Sequence, residues 1–210
     1  MKRSTAYSTL VAVVICAAPS LLAAAKVGQA APDFTAAASN GKTLRLQDYR
    51  GKYVVLEWHN NGCPYVGKHY HSGNMQRQQK QWTARGVVWF TIISSAPGKQ
   101  GYVTASEENE YLAKMQATPT AALLDPTGEI GHLYDAKTSP QMVVINPQGM
   151  VVYDGAIDDK PTTDLGDIAL VLCIVNVLTN GGNGAYWQYA SSTCVQTVPH
   201  GLRSRAVTGD

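Results

Sequence analysis

The stretch 53-YVVLEWHNNGCPYVGKHY-70 decides the fold that we predict for this chain. Residues 54–58 form a short, mostly apolar run of β-branched and aromatic side chains, which is typical of a buried strand. Asn-Asn-Gly at 60–62 ends that run, and Pro64 suits the first turn of a helix, where its missing N–H has no helical partner. The pattern therefore predicts a strand, a loop and a helix, with Cys63 at the helix start.

Cys63 is predicted to be reactive because of this position. Free backbone N–H groups and the helix dipole at a helix N-terminus favour a thiolate over a thiol. The alternative is a small buried hydrophobic residue, which is the commonest role of a free cysteine. The loop before Cys63 and the proline after it favour the reactive interpretation.

Composition indicates one globular domain and excludes some partners. The 210-residue chain is 45% hydrophobic and 15% charged, which is the balance of a folded protein. Its net charge is only +2, and basic residues never run beyond two in a row, so we expect no nucleic-acid partner.

Residues 1–25 are predicted to be an export signal. Lys2 and Arg3 precede an apolar segment that ends in small residues, with cleavage expected between about residues 25 and 30. That segment is about 15 residues long and contains Pro19, whereas a membrane span needs ~20 residues. We therefore expect export, most simply to a bacterial periplasm, with no stable membrane anchor after cleavage.

Export changes the cysteine count. Cys16 would leave with the signal, and three cysteines would remain, at positions 63, 173 and 194. An odd number in an exported protein indicates a free thiol or a labile pair. Cys173 lies in an apolar block and is expected to be structural. Cys194 lies in a Ser/Thr-rich loop and is a candidate resolving thiol for Cys63, or a disulfide partner for Cys173.

The predicted elements indicate an α/β fold, a central mixed β-sheet flanked by helices with an N-terminal β-hairpin. Asn40-Gly41 between two short strands is a strong hairpin signal. A helix from Pro64 to about Arg85 would join the first buried strand to a second apolar run at 87–93. Two such strands around one helix imply a parallel βαβ unit.

The domain is predicted to span residues 31–178, followed by a divergent, loop-like tail at 179–210. Ser106 is expected to cap a helix whose first turns carry three glutamates, as the helix dipole prefers. The other expected elements are a strand at 121–124, a helical turn at 127–134 and a hairpin over 142–153. The apolar block at 168–175 is expected to be a buried helix, with a strand as the alternative that its periodicity also allows.

Five motifs carry a resemblance to a known family. They are APDF at 31–34, GKTLRLQDYRGKYVVLEW at 41–58, GCPYV at 62–66, TSP at 138–140 and VVINPQGMVVYDG at 143–155. Over about residues 31–160 the chain resembles the thioredoxin-like redoxins of the alkyl hydroperoxide reductase/thiol-specific antioxidant (AhpC/TSA) family. The resemblance implies a thioredoxin-like fold and thiol redox chemistry that needs no cofactor.

The resemblance also shows two departures from the family pattern. Cys63 matches the first cysteine of the family's CxxC motif, but Val66 stands where the second belongs. Cys63 would therefore need another thiol to resolve its products. The family's peroxidases carry PxxxTxxC, and this chain has Leu56 and Asn60 in place of the proline and the threonine.

Further roles follow from the resemblance alone. Glu57 matches a buried acid that moves protons during disulfide exchange. The alternative is that Glu57 is a strand-end residue that pairs with a nearby lysine. Pro140 matches the family's cis-proline, which packs against the cysteine, and Ser139 would offer its backbone to a substrate chain. Asn60 and Pro64 complete the predicted substrate-binding residues.

Three histidines lie near Cys63 in the sequence, His59, His69 and His71. Their spacing fits none of the usual zinc patterns, so we expect no metal site. We expect solvated or partly packed side chains instead.

The leading hypothesis is an exported, thiol-dependent oxidoreductase of the antioxidant type that acts through Cys63 on disulfides or peroxides. The mixed disulfide or sulfenic acid that forms would be resolved by an external thiol or by Cys194. The alternative is a non-catalytic thioredoxin-like module that holds an extended peptide beside Cys63 and Pro140. The valine at position 66 is its best support.

Overall fold

The computed structural model describes residues 24–158, 162–166 and 178. Its strands are β1 (Thr35–Ala38), β2 (Thr43–Arg45), β3 (Val54–Trp58), β4 (Val88–Ile93), β5 (Ala121–Leu124), β6 (Gln141–Ile145) and β7 (Val151–Ala156). Its helices are α1 (Pro64–His71), α2 (Asn74–Thr83), α3 (Ala105–Met115) and α4 (Glu129–Leu133), with a 3₁₀ helix at Leu46–Tyr49. The expected helix at 168–175 and tail at 179–210 lie outside the described residues.

All seven strands join one mixed sheet in the order β2-β1-β5-β4-β3-β6-β7. Strands β3, β4 and β5 run parallel, whereas β1 pairs antiparallel with β2 and β5, and β6 pairs antiparallel with β3 and β7. The predicted α/β class, the βαβ unit and the N-terminal hairpin are confirmed. Because β6 runs antiparallel to β3, the start of β6 lies beside the end of β3.

Each face of β3 packs on a different hydrophobic layer. Val54, Leu56 and Trp58 face one layer, which also contains α4 residues and the β1 strand. Val55 faces the other layer together with apolar side chains of α1 and α2. Alternation along the strand therefore turns Glu57 towards the layer that α1 and α2 cover.

The single helix predicted from Pro64 to about Arg85 is wrong. Two helices, α1 and α2, replace it, and Gly73 at their junction has a φ of +70°. A helix cannot continue through that left-handed conformation, which glycine adopts without steric cost. The break turns α2 away from α1, so that side chains of both helices cover the same face of β3.

The N-cap of α3 is Thr104 rather than the predicted Ser106. The Thr104 hydroxyl accepts from the Glu107 N–H, and the Glu107 carboxylate accepts from the Thr104 N–H. This reciprocal arrangement is a capping box, which satisfies two backbone donors at once. Ser106 instead donates its hydroxyl hydrogen to the Glu110 carboxylate.

The folded part of the chain begins before residue 31. The Ala25 N–H donates to the Leu133 carbonyl at 2.9 Å, and the Gly28 N–H donates to the Val151 carbonyl at 2.8 Å. Ala25 is buried in the core. Residues 1–23 of the predicted signal lie outside the described residues. Within the described part of the chain, no helix is both long and apolar enough to cross a bilayer.

Candidate functional site

Cys63 lies at the N-cap of α1, as predicted, with a half-buried side chain. Its N–H donates to the Asn60 carbonyl at 2.9 Å, and its carbonyl accepts from the Gly67 N–H at 2.9 Å. Pro64 occupies the first helical position and is exposed. The thiol therefore sits where a helix N-terminus meets solvent, which is the setting that activates cysteines.

The Ser139–Pro140 segment lies directly beside the thiol. The Ser139–Pro140 peptide bond is cis, as the resemblance implied. The Cys63 thiol donates a hydrogen bond to the Ser139 carbonyl, with an Sγ–O distance of 3.2 Å. The pairing of Glu57 with Met142 explains this contact, because it aligns the loop after β3 with the residues just before β6. Substrate binding by Ser139 and Pro140 stays a prediction.

The Asn60 side chain is held inside the loop that precedes Cys63. Its amide oxygen accepts from the Gly62 N–H at 2.9 Å. Gly101, which has a φ of +82°, packs so closely on it that an added Cβ would lie 2.5 Å from the Asn60 amide. The long loop after β4 therefore supports the loop that carries Cys63.

Glu57 is fully buried beneath α1 and α2. Its carboxylate accepts from the Trp89 indole N–H at 2.7 Å, the Tyr70 hydroxyl at 2.8 Å and the Gln79 amide at 3.2 Å. Its partners are thus neutral donors, and the lysine pairing considered above is wrong. Burial raises the pKa of the Tyr70 hydroxyl well above its usual value, with the Glu57 charge adding to the effect, so this group stays a proton donor.

His59 and Glu108 are both buried, whereas a solvated or partly packed side chain was expected for His59. The His59 ring packs against Tyr70, with centroids 4.9 Å apart, and against Tyr111 at 5.1 Å. Its Nδ1 lies 3.7 Å from a Glu57 carboxylate oxygen. Burial raises the pKa of Glu108 to about 7, while His59 lowers it and the Glu57 charge raises it further. From the sequence, Glu108 was expected only as one of three glutamates in the first turns of a helix.

His69 belongs to a second buried polar group, formed with Lys68, Asn74 and Asp158. The Lys68 ammonium lies 2.8 Å from the Asp158 carboxylate, and His69 Nε2 lies 3.4 Å from the same group. Asn74 Nδ2 contacts His69 Nδ1 at 2.8 Å. Burial lowers the pKa of His69 to about 4, against the Asp158 charge, so the ring is neutral at neutral pH.

His71 is exposed, and the three histidines do not converge. Among the residues that the structure describes, no group of three or more His, Cys, Asp or Glu side chains could hold a metal ion.

Val66 occupies the position of the family's second cysteine and is fully buried, in the same apolar layer as Cys63 and Tyr111. Within the described residues Cys63 has no disulfide partner, and its thiol is free. Cys173 and the predicted resolving residue Cys194 lie outside the described residues.

Comparison with known proteins gives one family and one curated relative. The model of the AhpC/TSA family matches residues 27–154. The thiol-disulfide oxidoreductase ResA of Bacillus subtilis is 27% identical over 125 residues, which cover 60% of this chain and 64% of ResA. The match therefore spans somewhat less than two thirds of that relative's length.

Solved structures resemble the fold. An uncharacterized conserved protein from Geobacillus kaustophilus superimposes with a TM-score of 0.67 at 23% identity, covering 76% of this chain and 83% of that one. The exposed lipoprotein thioredoxin of Streptococcus pneumoniae gives a TM-score of 0.51 at 21% identity, covering 71% and 99%. These similarities, with the mixed seven-stranded sheet, identify a thioredoxin-like fold.

Proposed function

The chain belongs to the AhpC/TSA family, and on that premise we propose that it is a thiol–disulfide oxidoreductase that acts through Cys63. One observation carries the proposal: a half-buried thiol at the start of α1, within 3.2 Å of the Ser139 carbonyl. The similarity to ResA supports the same class of reaction.

The reaction follows from the chemistry of one thiol. The Cys63 thiolate attacks a sulfur of the substrate disulfide, the substrate S–S bond breaks, and the second substrate sulfur leaves as a thiolate. A mixed disulfide between Cys63 and the substrate remains, and the substrate is half reduced. One thiolate of an external dithiol then attacks the Cys63 sulfur of the mixed disulfide, and the substrate leaves as its second thiolate, now fully reduced. The other thiolate of the dithiol attacks its partner sulfur, which closes the dithiol's disulfide and releases the Cys63 thiolate. Cys194 is the internal alternative.

Ser139 has a separate role in this proposal. In the resting site its carbonyl accepts the thiol hydrogen of Cys63. Once the thiol ionises, that hydrogen is gone, and the carbonyl is free to accept an N–H from an extended substrate chain. Binding of a peptide strand by backbone hydrogen bonds is a common mode of recognition, and here it would bring the substrate disulfide to Cys63. Pro64, exposed at the start of α1, would border the same surface.

Disulfides fit the site better than peroxides do. The Asn60 amide oxygen, which stands where peroxidases have a threonine, already accepts from the Gly62 N–H. Its side chain is also held against Gly101. Asn60 therefore supports the shape of the loop. An antioxidant role by peroxide reduction is tested separately, by the hydrogen peroxide reaction described below.

The same proposal includes export to the periplasm, which rests on the predicted signal at residues 1–25. The Gly28 N–H donates to the Val151 carbonyl, and the Gln29 carbonyl accepts from the Val151 N–H. These contacts support cleavage nearer to residue 25 than to residue 30, since the later cut would remove both of them. The N-terminal sequence of the protein recovered from a periplasmic extract tests this. A mature chain that begins after residue 30 would contradict it.

Intact mass spectrometry tests the reaction. The reduced protein is mixed with a small disulfide or with hydrogen peroxide, and the masses of wild type and Cys63→Ser are compared. We expect wild type to gain half of the disulfide and Cys63→Ser to gain nothing at that site. A sulfenic acid without a mixed disulfide would indicate a peroxidase. No change that depends on Cys63 would indicate the non-catalytic peptide-binding module.

A further inference from the structure

Two buried ionisable side chains behind the Cys63 loop have polar atoms without partners. Both carboxylate oxygens of Glu108 and both ring nitrogens of His59 lack a hydrogen-bond partner among the described residues. Glu108 is completely buried, and His59 is 3% exposed. Because a buried polar group without a partner costs free energy, such groups usually have a function or a neutral charge state.

The two side chains come from different elements, and they are close enough for His59 to lower the pKa of Glu108. His59 directly follows β3 and precedes Cys63 by four residues. Glu108 lies in α3, one turn before Tyr111, whose ring contacts His59 and which shares an apolar layer with Cys63. His59 therefore connects the loop that carries Cys63 to the face of α3 on which Tyr111 lies.

Glu57 is less suited to exchange a proton than this pair. Three donors at 2.7–3.2 Å occupy its carboxylate oxygens, and the Thr91 hydroxyl adds a longer contact at 3.4 Å. A proton on Glu57 would have to displace one of these donors. His59 and Glu108 can gain or lose a proton without breaking any hydrogen bond that the described residues make.

We propose that His59 and Glu108 form a buried acid–base pair that takes up a proton as the Cys63 thiol ionises and returns one to the thiolate released from the substrate. The inference rests on the proposed function and names its proton carrier. The protons balance: the thiol loses one to the pair, the substrate S–S bond breaks as the Cys63–substrate bond forms, and the departing thiolate regains one.

The charges around the pair agree with this coupling. Glu57 faces His59 from β3, the Tyr70 hydroxyl faces it from α1, and Tyr111 faces it from α3. Burial keeps both tyrosine hydroxyls protonated, because it raises their pKa values, and the nearby carboxylates reinforce the effect. Burial raises the pKa of Glu108 to about 7, so the charge of this carboxyl changes near neutral pH.

The test is the pH profile of Cys63 alkylation. The full chain is treated with iodoacetamide across a pH series, and the modified fraction is read from the tryptic peptide that contains Cys63, residues 53–68, so that the other cysteines do not interfere. The variants are Glu108→Gln, which removes the charge and keeps the shape, and Glu110→Gln, an exposed control on the same helix.

We expect the wild-type profile to be broader than one titration, because two coupled groups share it. Glu108→Gln should give a single, steeper titration whose midpoint lies lower by roughly half a pH unit or more, since a nearby negative charge is lost. Glu110→Gln should match wild type. Superimposable profiles for wild type and Glu108→Gln would overturn the proposal.

A second measurement does not depend on a variant that folds. Carbon-13 NMR of the wild-type Glu108 carboxyl group should show a midpoint near pH 7 and a second inflection where Cys63 ionises. A single midpoint near the ordinary ~4.3 would overturn the proposal. Neither experiment uses a disulfide. If Cys63 and Glu108 titrate together but mass spectrometry detects no mixed disulfide, the proposed function is overturned. If a mixed disulfide forms but Cys63 and Glu108 titrate independently, only the acid–base pair is overturned.

Discussion

Glu57→Gln tests whether Glu57 is chiefly a structural acceptor or the proton carrier that the family resemblance suggests. The carboxylate accepts hydrogen bonds from Trp89, Tyr70 and Gln79 in a fully buried position. Glutamine has almost the same shape, but it replaces one acceptor oxygen with a donor. The substitution therefore changes the hydrogen bonds and leaves the packing nearly intact.

The cost of Glu57→Gln follows from these contacts. Hydrogen bonds to a charged group contribute about 1.5–3 kcal/mol each, whereas neutral ones contribute about 1 kcal/mol. Glutamine would keep one acceptor and turn its NH₂ group towards a donor, which leaves at least one buried donor without a partner at about 1–3 kcal/mol. The expected loss is about 3 kcal/mol, a large part of the ~5–15 kcal/mol that stabilises an ordinary domain.

Urea unfolding at pH 7, followed by tryptophan fluorescence, measures this loss, and Glu110→Gln serves as the exposed control. The unfolding midpoint should fall with an unchanged slope, because the same surface is exposed on unfolding. The folded Glu57→Gln protein should keep the broad, two-group shape of the Cys63 alkylation profile, shifted to lower pH because a negative charge that raises the pKa of Glu108 is lost. A loss below about 1 kcal/mol together with a single, steeper titration would refute the structural role and restore Glu57 as the proton carrier.

Three further predictions concern the loop, the missing thiol and acid stability. Gly101→Ala should lower the melting temperature and slow Cys63 alkylation more than Gly98→Ala does. Both glycines have a positive φ, but of the two only Gly101 has a side chain within 4 Å of an added Cβ. Equal effects of the two substitutions would contradict the contact with Asn60. Val66→Cys should close a disulfide with Cys63 under mild oxidant, seen as a loss of two hydrogens by mass, since side chains three apart on a helix are neighbours; a persistent pair of free thiols would contradict it. Burial lowers the pKa of His69 to about 4, so its contribution to stability is present above pH 6.5 and lost as the pH falls towards 4. The urea unfolding midpoint of His69→Asn should therefore change less than that of wild type between pH 6.5 and 4. Parallel plots of the two midpoints against pH would contradict this.

Much of the fold follows from local patterns. The apolar runs at 54–58 and 87–93 and the Asn-Gly turn after Ala38 specify buried parallel strands and a hairpin with little help from tertiary contacts. The break at Gly73 could not be predicted in the same way, because glycine is compatible with both a continuous helix and a left-handed turn. Tertiary packing of α2 decides between them.

The site was partly visible in the sequence. The local pattern placed Cys63 and Pro64 at the start of a helix, and the family resemblance supplied Glu57, Ser139 and Pro140. Strand alternation puts His59 on the same face as Glu57, and Glu108 lies three residues before Tyr111 on α3. These signals were present. What the sequence lacks is the three-dimensional meeting of β3 with α3, which only the assembled sheet creates.

The capping of α3 shows a signal that was available and overlooked. Thr104 and Glu107 have the S/T-x-x-E spacing of a capping box, whereas Ser106 has no acid three residues later. Counting that spacing would have placed the helix start correctly.

Turnover of a disulfide substrate tests the central claim most directly. The initial rate at which the protein reduces a model peptide disulfide, with an external dithiol as reductant, is compared for wild type, Cys63→Ser and Cys194→Ser. We predict multiple turnovers for wild type, none above the uncatalysed rate for Cys63→Ser, and activity in Cys194→Ser that the external thiol sustains. A wild-type rate equal to that of Cys63→Ser would contradict the account.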